Sequence, residues 1–435
     1  MGSSQGSNRT GAGDADRITE VVEVTGHIVD SLILAKVLDT ILDAGCDYEI
    51  VDFEIGKTSL DASRARLAVS GPADVVGQLL DDLQVHGANR VQDNDAHLVP
   101  AERDGVLPAG FYSTTNLATD VRVGGRWLQV GNPEMDCALV VRDGRALTAP
   151  MHRVVAGDLV AVGSDGIRVH APERPRDTQM FEFMASEVSS EKPKALLVER
   201  VAQRIRRAKE QERKVLAVCG PAVVHTGAAP DLARLVLEGW IDVLFAGNGF
   251  ATHDIEANML GTSLGVSVAE GTPTEGGHAN HIRVINEVRR AGSIAAAVKD
   301  GLVTGGVMHA CVTTGTPFAL GGSIRDDGPL PDVISDTVAA ADAMRELIPG
   351  IGVALMLSST LHAIATGNCL PAGVETFCVD INQAVVTKLA DRGSHQALGI
   401  VTDVGLFVRG LTEALVGHGA AGPGAPAAPV SPDAR

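Results

Sequence analysis

Five short segments collect residues able to bind an anion, hold a sugar or move a proton. The first is Gly220-Pro221-Ala222-Val223-Val224-His225-Thr226-Gly227. Its glycines let a backbone approach a ligand closely, and His225 can exchange a proton near neutral pH. The second is Ala246-Gly247-Asn248-Gly249, followed by Ala251-Thr252-His253-Asp254. Its backbone amides and the Asn248 side chain suit a phosphate or a ribose. As a dinucleotide fingerprint it is imperfect, because Thr252 stands where a third glycine belongs.

The third segment runs from Leu320 through Gly321, Gly322, Ser323, Ile324, Arg325, Asp326 and Asp327 to Gly328-Pro329. Arg325 can clamp a carboxylate with two parallel hydrogen bonds. The fourth, Ser358-Ser359-Thr360-Leu361-His362, places hydroxyls where a helix begins, which suits an anion. The fifth is Asp380-Ile381-Asn382, where an acid at a strand end can accept both ribose hydroxyls and repel the extra phosphate of NADP. A turn, a helix cap or a solvated loop would explain each segment taken singly. Their shared position favours binding, since each follows or adjoins an apolar run.

Those runs define the scaffold. From Lys214 to about Leu415, KVLAVCG, IDVLFAG, GGVMHACV, GVALML, ETFCVDI and LGIVTDV read as strands that alternate with helices such as PDLARLVLEG. Continuous apolar strands of this kind form a parallel sheet covered on both faces, with ligands at its carboxyl edge. Residues 17–100 read β-α-β-β-α-β, the order of a ferredoxin-like sandwich. Residues 101–180 carry short apolar runs between Gly and Asp turns and read as a small β-rich module. The charge-laced segment ALLVERVAQRIRRAKEQERK then opens the catalytic domain assigned to 181–415. Residues 1–16 and 416–435 are Gly, Ala, Ser and Pro rich and read as a disordered arm and tail.

Other motifs fail on context. Gly261-Thr262-Ser263-Leu264-Gly265 has the GxSxG spacing of a serine-hydrolase elbow, but HDIEANML before it reads as helix, and the elbow needs a strand. Gly56-Lys57-Thr58 lacks the upstream glycine of a P-loop. His278 and His281 near His253 and Asp254 form no complete metal set, and no metal is expected. Nothing near Lys388 marks it as a desolvated Schiff-base lysine. The six cysteines form no CxxC pair and read as reduced core thiols.

Bulk composition sets further bounds. With 45% hydrophobic and 21% charged residues, the chain reads as globular. Its net charge of −18 argues against a nucleic-acid partner. No run suits a bilayer, and the N-terminus lacks a signal-peptide core, so a cytoplasmic location is expected.

Taken together, GPAVVHTGA, AGNGFATHDIE, GTSLG, GGSIRDDGPLP, LHAIATGN, CVDINQAVVTKLADRGS and VTDVG resemble the archaeal-type ornithine cyclodeaminases. That group carries the conserved region of lysine-ketoglutarate reductase/saccharopine dehydrogenase, and its unit recurs at the C-terminal end of cyanobacterial bifunctional arginine dihydrolases. The resemblance spans about Ile18 to Leu415, departing at Gly249, where alanine is common, and at Thr360, where methionine is common. It implies an α/β fold with a Rossmann-like NAD-binding domain akin to that of deoxyhypusine synthase. It implies NAD contacts at Asn248, Gly249, Asp326, Ser359, Thr360, Leu361, His362, Asp380, Ile381, Asn382, Asp403 and Val404. The implied reaction turns L-ornithine into L-proline and ammonia, with oxidation and reduction at the same carbon and no net change in NAD.

Such chemistry needs a base, a carboxylate clamp and a closed site. His225 or His253 is the candidate base, Asp254 the group that orients one of them, and Arg325 the clamp. A dehydrogenase of another diamino acid or cyclic imine, and a non-catalytic amino-acid and NAD sensor, are the alternatives. The expected partners are a small amino-acid substrate and further copies of the chain, as a dimer or tetramer.

Overall fold

The computed structural model describes residues 17–417 apart from 30–31, 58–60, 85, 92–93, 171–193, 268–271, 273–276, 327 and 392–396. The expected disordered arm and nearly all of the expected tail lie outside the described residues. The chain forms two compact units, residues 1–183 and 184–435.

In the first unit, strands β1 (Arg17–Gly26), β2 (Asp47–Glu54), β3 (Ser63–Pro72) and β4 (Ala88–Arg90) form an antiparallel sheet of order β2-β3-β1-β4. Two helices, Ile33–Asp43 and Ala73–Gln84, complete the β-α-β-β-α-β unit. Alternation does the positioning. Val22 and Val24 of β1, and Leu67 and Val69 of β3, turn inward to Val37, Ile41, Val76 and Leu80 of the helices.

Seven short strands follow: β5 (His97–Pro100), β6 (Thr119–Val123), β7 (Arg126–Gln129), β8 (Ala138–Arg142), β9 (Arg145–Ala149), β10 (Leu159–Val162) and β11 (Ile167–Val169). They make two small sheets, β5-β10-β8-β9 and β11-β6-β7. Asn89 joins them to the sandwich. Its Nδ2 donates to the Val169 carbonyl at 2.7 Å, and its Oδ1 accepts the Val169 N–H at 2.7 Å. Arg90 pairs with Asp165 beside it.

The second unit holds β12 (Lys214–Cys219), β13 (Val243–Gly247), a two-strand hairpin of β14 (Thr262–Ser263) and β15 (Val266–Ser267), then β16 (Phe318–Gly321), β17 (Val333–Ile334), β18 (Ile351–Leu357), β19 (Glu375–Asp380) and β20 (Ala397–Val401). Hairpin aside, these strands form a seven-stranded parallel sheet of order β17-β16-β13-β12-β18-β19-β20. That is the Rossmann order with one added edge strand, and its switch point lies between β12 and β18.

One segment departs from the sequence reading. GGVMHACV forms the helix Gly306–Thr314, and the strand comes later, at Phe318–Gly321. A short, wholly apolar run is ambiguous between the two states. The punctuation decides it: Gly305 is extended at the start, and Gly315 is left-handed, at φ 73°, at the end. The buried residues Val307, Met308, Ala310 and Cys311 follow helical spacing.

No helix among the described residues is long and apolar enough to cross a membrane. All six cysteines are buried thiols outside any disulfide, and burial pushes the Cys311 and Cys378 thiols up to about 12. Lys388 is exposed on the helix Gln383–Asp391.

Candidate active site

Parallel strands deliver their carboxyl ends to one edge, and there the loops meet. At the switch point Gly220 lies against Ser358: a Cβ on Gly220 would sit 1.8 Å from the Ser358 carbonyl oxygen. Its N–H donates to the Leu357 carbonyl at 2.9 Å, and the Ser358 N–H donates to that of Val379 at 2.9 Å. Ser358 turns through the left-handed region, at φ 47°.

His362, in the first turn of the helix Leu361–Cys369, reaches across to β13 and β16. Its ring lies so close that a Cβ on Gly247 would be 2.8 Å from Cε1 and one on Gly321 would be 3.1 Å from Nε2. Burial lowers the imidazole pKa, against the Gly321 carbonyl and Asp326, which favour the charged form.

Asn248 begins the helix Asn248–Leu260. Its Nδ2 donates to Asp326 Oδ1 at 3.1 Å, and its Oδ1 accepts from the Leu330 N–H at 3.1 Å and the Thr252 hydroxyl at 3.2 Å. The second Asp326 oxygen accepts the Ser323 N–H at 2.8 Å. These bonds therefore tie Asp326 and Leu330 to the start of the helix. On the other side Gly405, beside Asp403 and Val404, packs on Thr226, 3.1 Å from the position its Cβ would take. Asp403 caps the helix Val404–Val416 through the Leu406 N–H. Asp380 accepts the Asn382 N–H with Oδ1 at 2.8 Å, and among the described residues its other oxygen is unpartnered.

A cradle of this kind fits a dinucleotide. Backbone meets backbone at Gly220 with no room for a side chain, helices begin at Asn248 and Leu361, and a carboxylate stands at the end of β19. Ser359 is buried, while Thr360, Leu361 and Ile381 are exposed at the rim.

One helical turn beyond Gly249 sits His253, the start of a polar cluster. Its Nδ1 lies 2.8 Å from Glu256 Oε2. Glu256 has no exposed surface, and its Oε1 accepts the Thr262 hydroxyl at 2.8 Å and the Gly265 N–H at 3.2 Å. Burial would raise this carboxyl, but the bonds from His253, Thr262 and Gly265 hold it below its usual range. Asn280 Nδ2 donates to Thr262 at 2.8 Å, and Arg283 donates to Asn280 at 2.9 Å. His225 packs its ring 5.0 Å from that of His253, with Nδ1 2.8 Å from the Ser263 hydroxyl. Burial, then His253, lowers the His225 pKa, and Glu256 opposes them. His281 stands 6.5 Å from His253, ring to ring.

The GTSLG segment finds its purpose here. Leu264 and Gly265 both have positive φ, 53° and 73°, which makes the tight turn between β14 and β15. That turn presents Ser263 to His225, and Thr262 with the Gly265 amide to Glu256.

Asp254 does not orient a histidine. Its oxygens accept the Val307 N–H at 2.9 Å and the Met308 N–H at 2.8 Å, so it caps the buried helix Gly306–Thr314. Helical geometry explains the change, because Asp254 points away from the face shared by Gly249, His253 and Glu256. The orienting carboxylate is Glu256, three residues after His253, a spacing that offered a signal in the sequence. Arg325 is exposed, and no contact joins its side chain to the histidines. Among the described residues no group of three or more His, Cys, Asp or Glu side chains could hold a metal, and the His278 side chain lies outside them.

Comparison with known proteins agrees with this geometry. Residues 199–411 match the family described as arginine dihydrolase ArgZ-like, C-terminal, Rossmann fold. Residues 118–198 match the first region of the same C-terminal part, and residues 19–117 match the LOR/SDH bifunctional enzyme conserved region. The chain is 51% identical to an ornithine cyclodeaminase of Methanocaldococcus jannaschii, over 91% of this chain and 95% of that one. It is 49% identical to that of Methanopyrus kandleri, over 91% and 97%. Among solved structures, cyanobacterial ArgZ without ligand superposes with a TM-score of 0.80 at 37% identity, covering 92% of this chain and 58% of that one. The ternary complex of AgrE with ornithine and NAD+ gives 0.51 at 41% identity, covering 92% and 58%.

Proposed function

This chain belongs to the ornithine cyclodeaminase family with the LOR/SDH region and the ArgZ-like Rossmann domain, and from that we propose that it converts L-ornithine to L-proline and ammonia with NAD. One observation carries the reading: the strand-end loops meet at one edge of the sheet, with Gly220 against Ser358 and His362 between Gly247 and Gly321. The AgrE complex with ornithine and NAD+ supports the same pair of ligands.

Bound NAD+ would supply a hydride acceptor that is restored within each turnover. Its phosphates and riboses would lie along Gly220, Asn248, Gly249, Ser359 to His362, Asp380 to Asn382 and Asp403 with Val404. Asp326 acts through Asn248, whose amide it holds. Donation from Nδ1 to Glu256 fixes the His253 tautomer and leaves Nε2 as the proton acceptor. Arg325 and Arg283 are the two candidates for the substrate carboxylate, and only Arg283 is tied by hydrogen bonds to the cluster. In this reading the enzyme acts in the cytoplasm as a dimer or tetramer, and light scattering of the purified chain measures the assembly.

The test is incubation of the purified chain with ornithine and substoichiometric NAD+. Proline and ammonia formed many times over the cofactor support the reading. NADH formed in step with substrate consumption makes the protein a dehydrogenase instead, and tight binding without turnover makes it a sensor.

A further inference from the structure

The two histidines of the cluster are built alike but supported differently. Each has its Nδ1 tied within the protein at 2.8 Å, which turns both Nε2 atoms to other partners. The partner of His253 is a buried carboxylate, and that of His225 is a hydroxyl. His253 is only 9% exposed, whereas His225 stands exposed at the rim. Their ring centroids are 5.0 Å apart, with the ring planes tilted by 60°.

Cyclodeamination asks for two separate lines of proton traffic, one on each substrate nitrogen. Resting on the function proposed above, we infer that His253, positioned by Glu256, serves the α-nitrogen, and that His225, positioned by Ser263, serves the δ-nitrogen.

The steps balance on that assignment. His253 takes a proton from the α-ammonium, and NAD+ accepts the hydride from the α-carbon, leaving an iminium. The δ-ammonium gives up one proton to solvent, and the amine so formed donates its lone pair to that carbon. The pair of the C=N double bond moves onto the α-nitrogen, and His225 takes a proton from the δ-nitrogen. His253 returns its proton to the α-nitrogen. The C–N bond then breaks with its pair on the departing nitrogen, ammonia leaves, and the δ-nitrogen lone pair makes the cyclic iminium. Hydride returned to the α-carbon gives proline. His253 therefore ends as it began, and the proton held by His225, with the one released to solvent, returns to the ring nitrogen and to ammonia, giving zwitterionic proline and ammonium.

The chemistry matches the supports. His253 must keep a proton between two uses on one atom, and the Glu256 carboxylate holds its ring in one orientation through Nδ1. His225 need only pass its proton on, and partial burial with the neighbouring His253 favours its neutral ring. Among the described residues the ionisable groups facing this pair are Glu256 and His281, with Arg283 joined to Glu256 by hydrogen bonds through Asn280 and Thr262.

Single-turnover mixing of excess enzyme–NAD+ with ornithine separates the steps, since absorbance at 340 nm reads the oxidation and quenched samples read proline. His225→Gln should keep the 340 nm rise within about threefold of the wild-type rate, while absorbance persists and proline falls by about 100-fold or more. His253→Gln should slow the rise itself by about 100-fold. Glu256→Gln should slow it by about tenfold or more, with Glu256→Asp recovering part of the loss. NAD binding, followed by thermal shift, should persist in all four variants and so exclude misfolding. If His225→Gln abolishes the rise while His253→Gln permits it, or if both variants slow the two steps equally, the assignment is overturned. Wild-type protein that binds NAD but makes no proline would instead overturn the function on which it rests.

Discussion

Gly220→Ala tests the geometry of the cleft most directly. The added Cβ would lie 1.8 Å from the Ser358 carbonyl oxygen, and ordinary contact begins at 3.4 Å. The ends of β12 and β18 must therefore separate by about 1.6 Å, and the obstacle is backbone rather than a flexible side chain. The Gly220 N–H bond to Leu357 stretches with them. Overpacking of this kind costs about 1–3 kcal/mol, which lowers the melting temperature by roughly 2–12 °C for a domain of this size. The functional effect is larger, because a displacement near 1 Å in a bound pair costs about 100-fold in rate. We expect NAD affinity to fall at least tenfold by isothermal titration, and ornithine turnover at least 100-fold. Gly410→Ala is the matched control, since it lies outside the site and its Cβ would sit 3.4 Å from Val198 Cγ1, in ordinary contact, and both properties should stay near wild type. A Gly220→Ala protein that melts lower yet binds NAD unchanged would refute the placement of the cofactor at the switch point.

Further outcomes follow from the same contacts. Burial lifts Asp254 from 3.8 to about 6, so between those values the native state keeps a proton that the unfolded chain has lost. Its contribution to stability is complete below 3.8 and disappears as pH rises through about 6, by about 3 kcal/mol at most. Asp254→Asn should flatten urea-denaturation stability across that window. Glu256 has the opposite sign: its contribution is present above 4.5 and is lost as pH falls through its lower folded value, so Glu256→Gln flattens the acid side instead. Asn248→Ala strands the buried Leu330 N–H and should cost about 1–3 kcal/mol in thermal denaturation, with weaker NAD binding as Asp326 loses its partner. Asp380→Ser removes the charge that opposes a 2′-phosphate and should improve the NADP to NAD affinity ratio about tenfold or more by titration.

How much of this was legible in sequence depends on what each residue faces. The ferredoxin-like order was readable because alternation in β1 and β3 and helical spacing in the segments between them agree. The parallel sheet was readable from its unbroken apolar strands. The loop segments named from residue type do gather at one edge, because in a parallel sheet strand ends have nowhere else to go. GGVMHACV misled because burial on all sides erases the period that separates helix from strand. Asp254 misled because a one-residue step along a helix turns a side chain by about 100°. The partners of Glu256 were beyond reach of spacing alone: Thr262 and Gly265 meet it only because two positive-φ residues fold the hairpin back over the helix.

The helix Asn248–Leu260 makes the strongest case that this edge of the sheet serves chemistry. A surface helix keeps its polar residues outward. Here Asn248, Thr252, His253, Asp254 and Glu256 are all buried, so neither face is conventionally apolar. Burying five such groups is costly unless each finds a partner, and each does. Stability alone gives no reason to keep the arrangement, since apolar residues of similar size would pack at least as well as a buried charged pair. Stabilising replacements should therefore be easy to find on this helix, and they should divide by face. Those at Asp254 affect the cap of a neighbouring helix and chiefly change folding. Those at His253 or Glu256 that raise the melting temperature should abolish turnover, as expected where a protein keeps a strained polar site for its reaction. A hydrophobic Glu256 variant more stable than wild type and fully active would show that the cluster is structural and would remove the ground for placing the proton chemistry there.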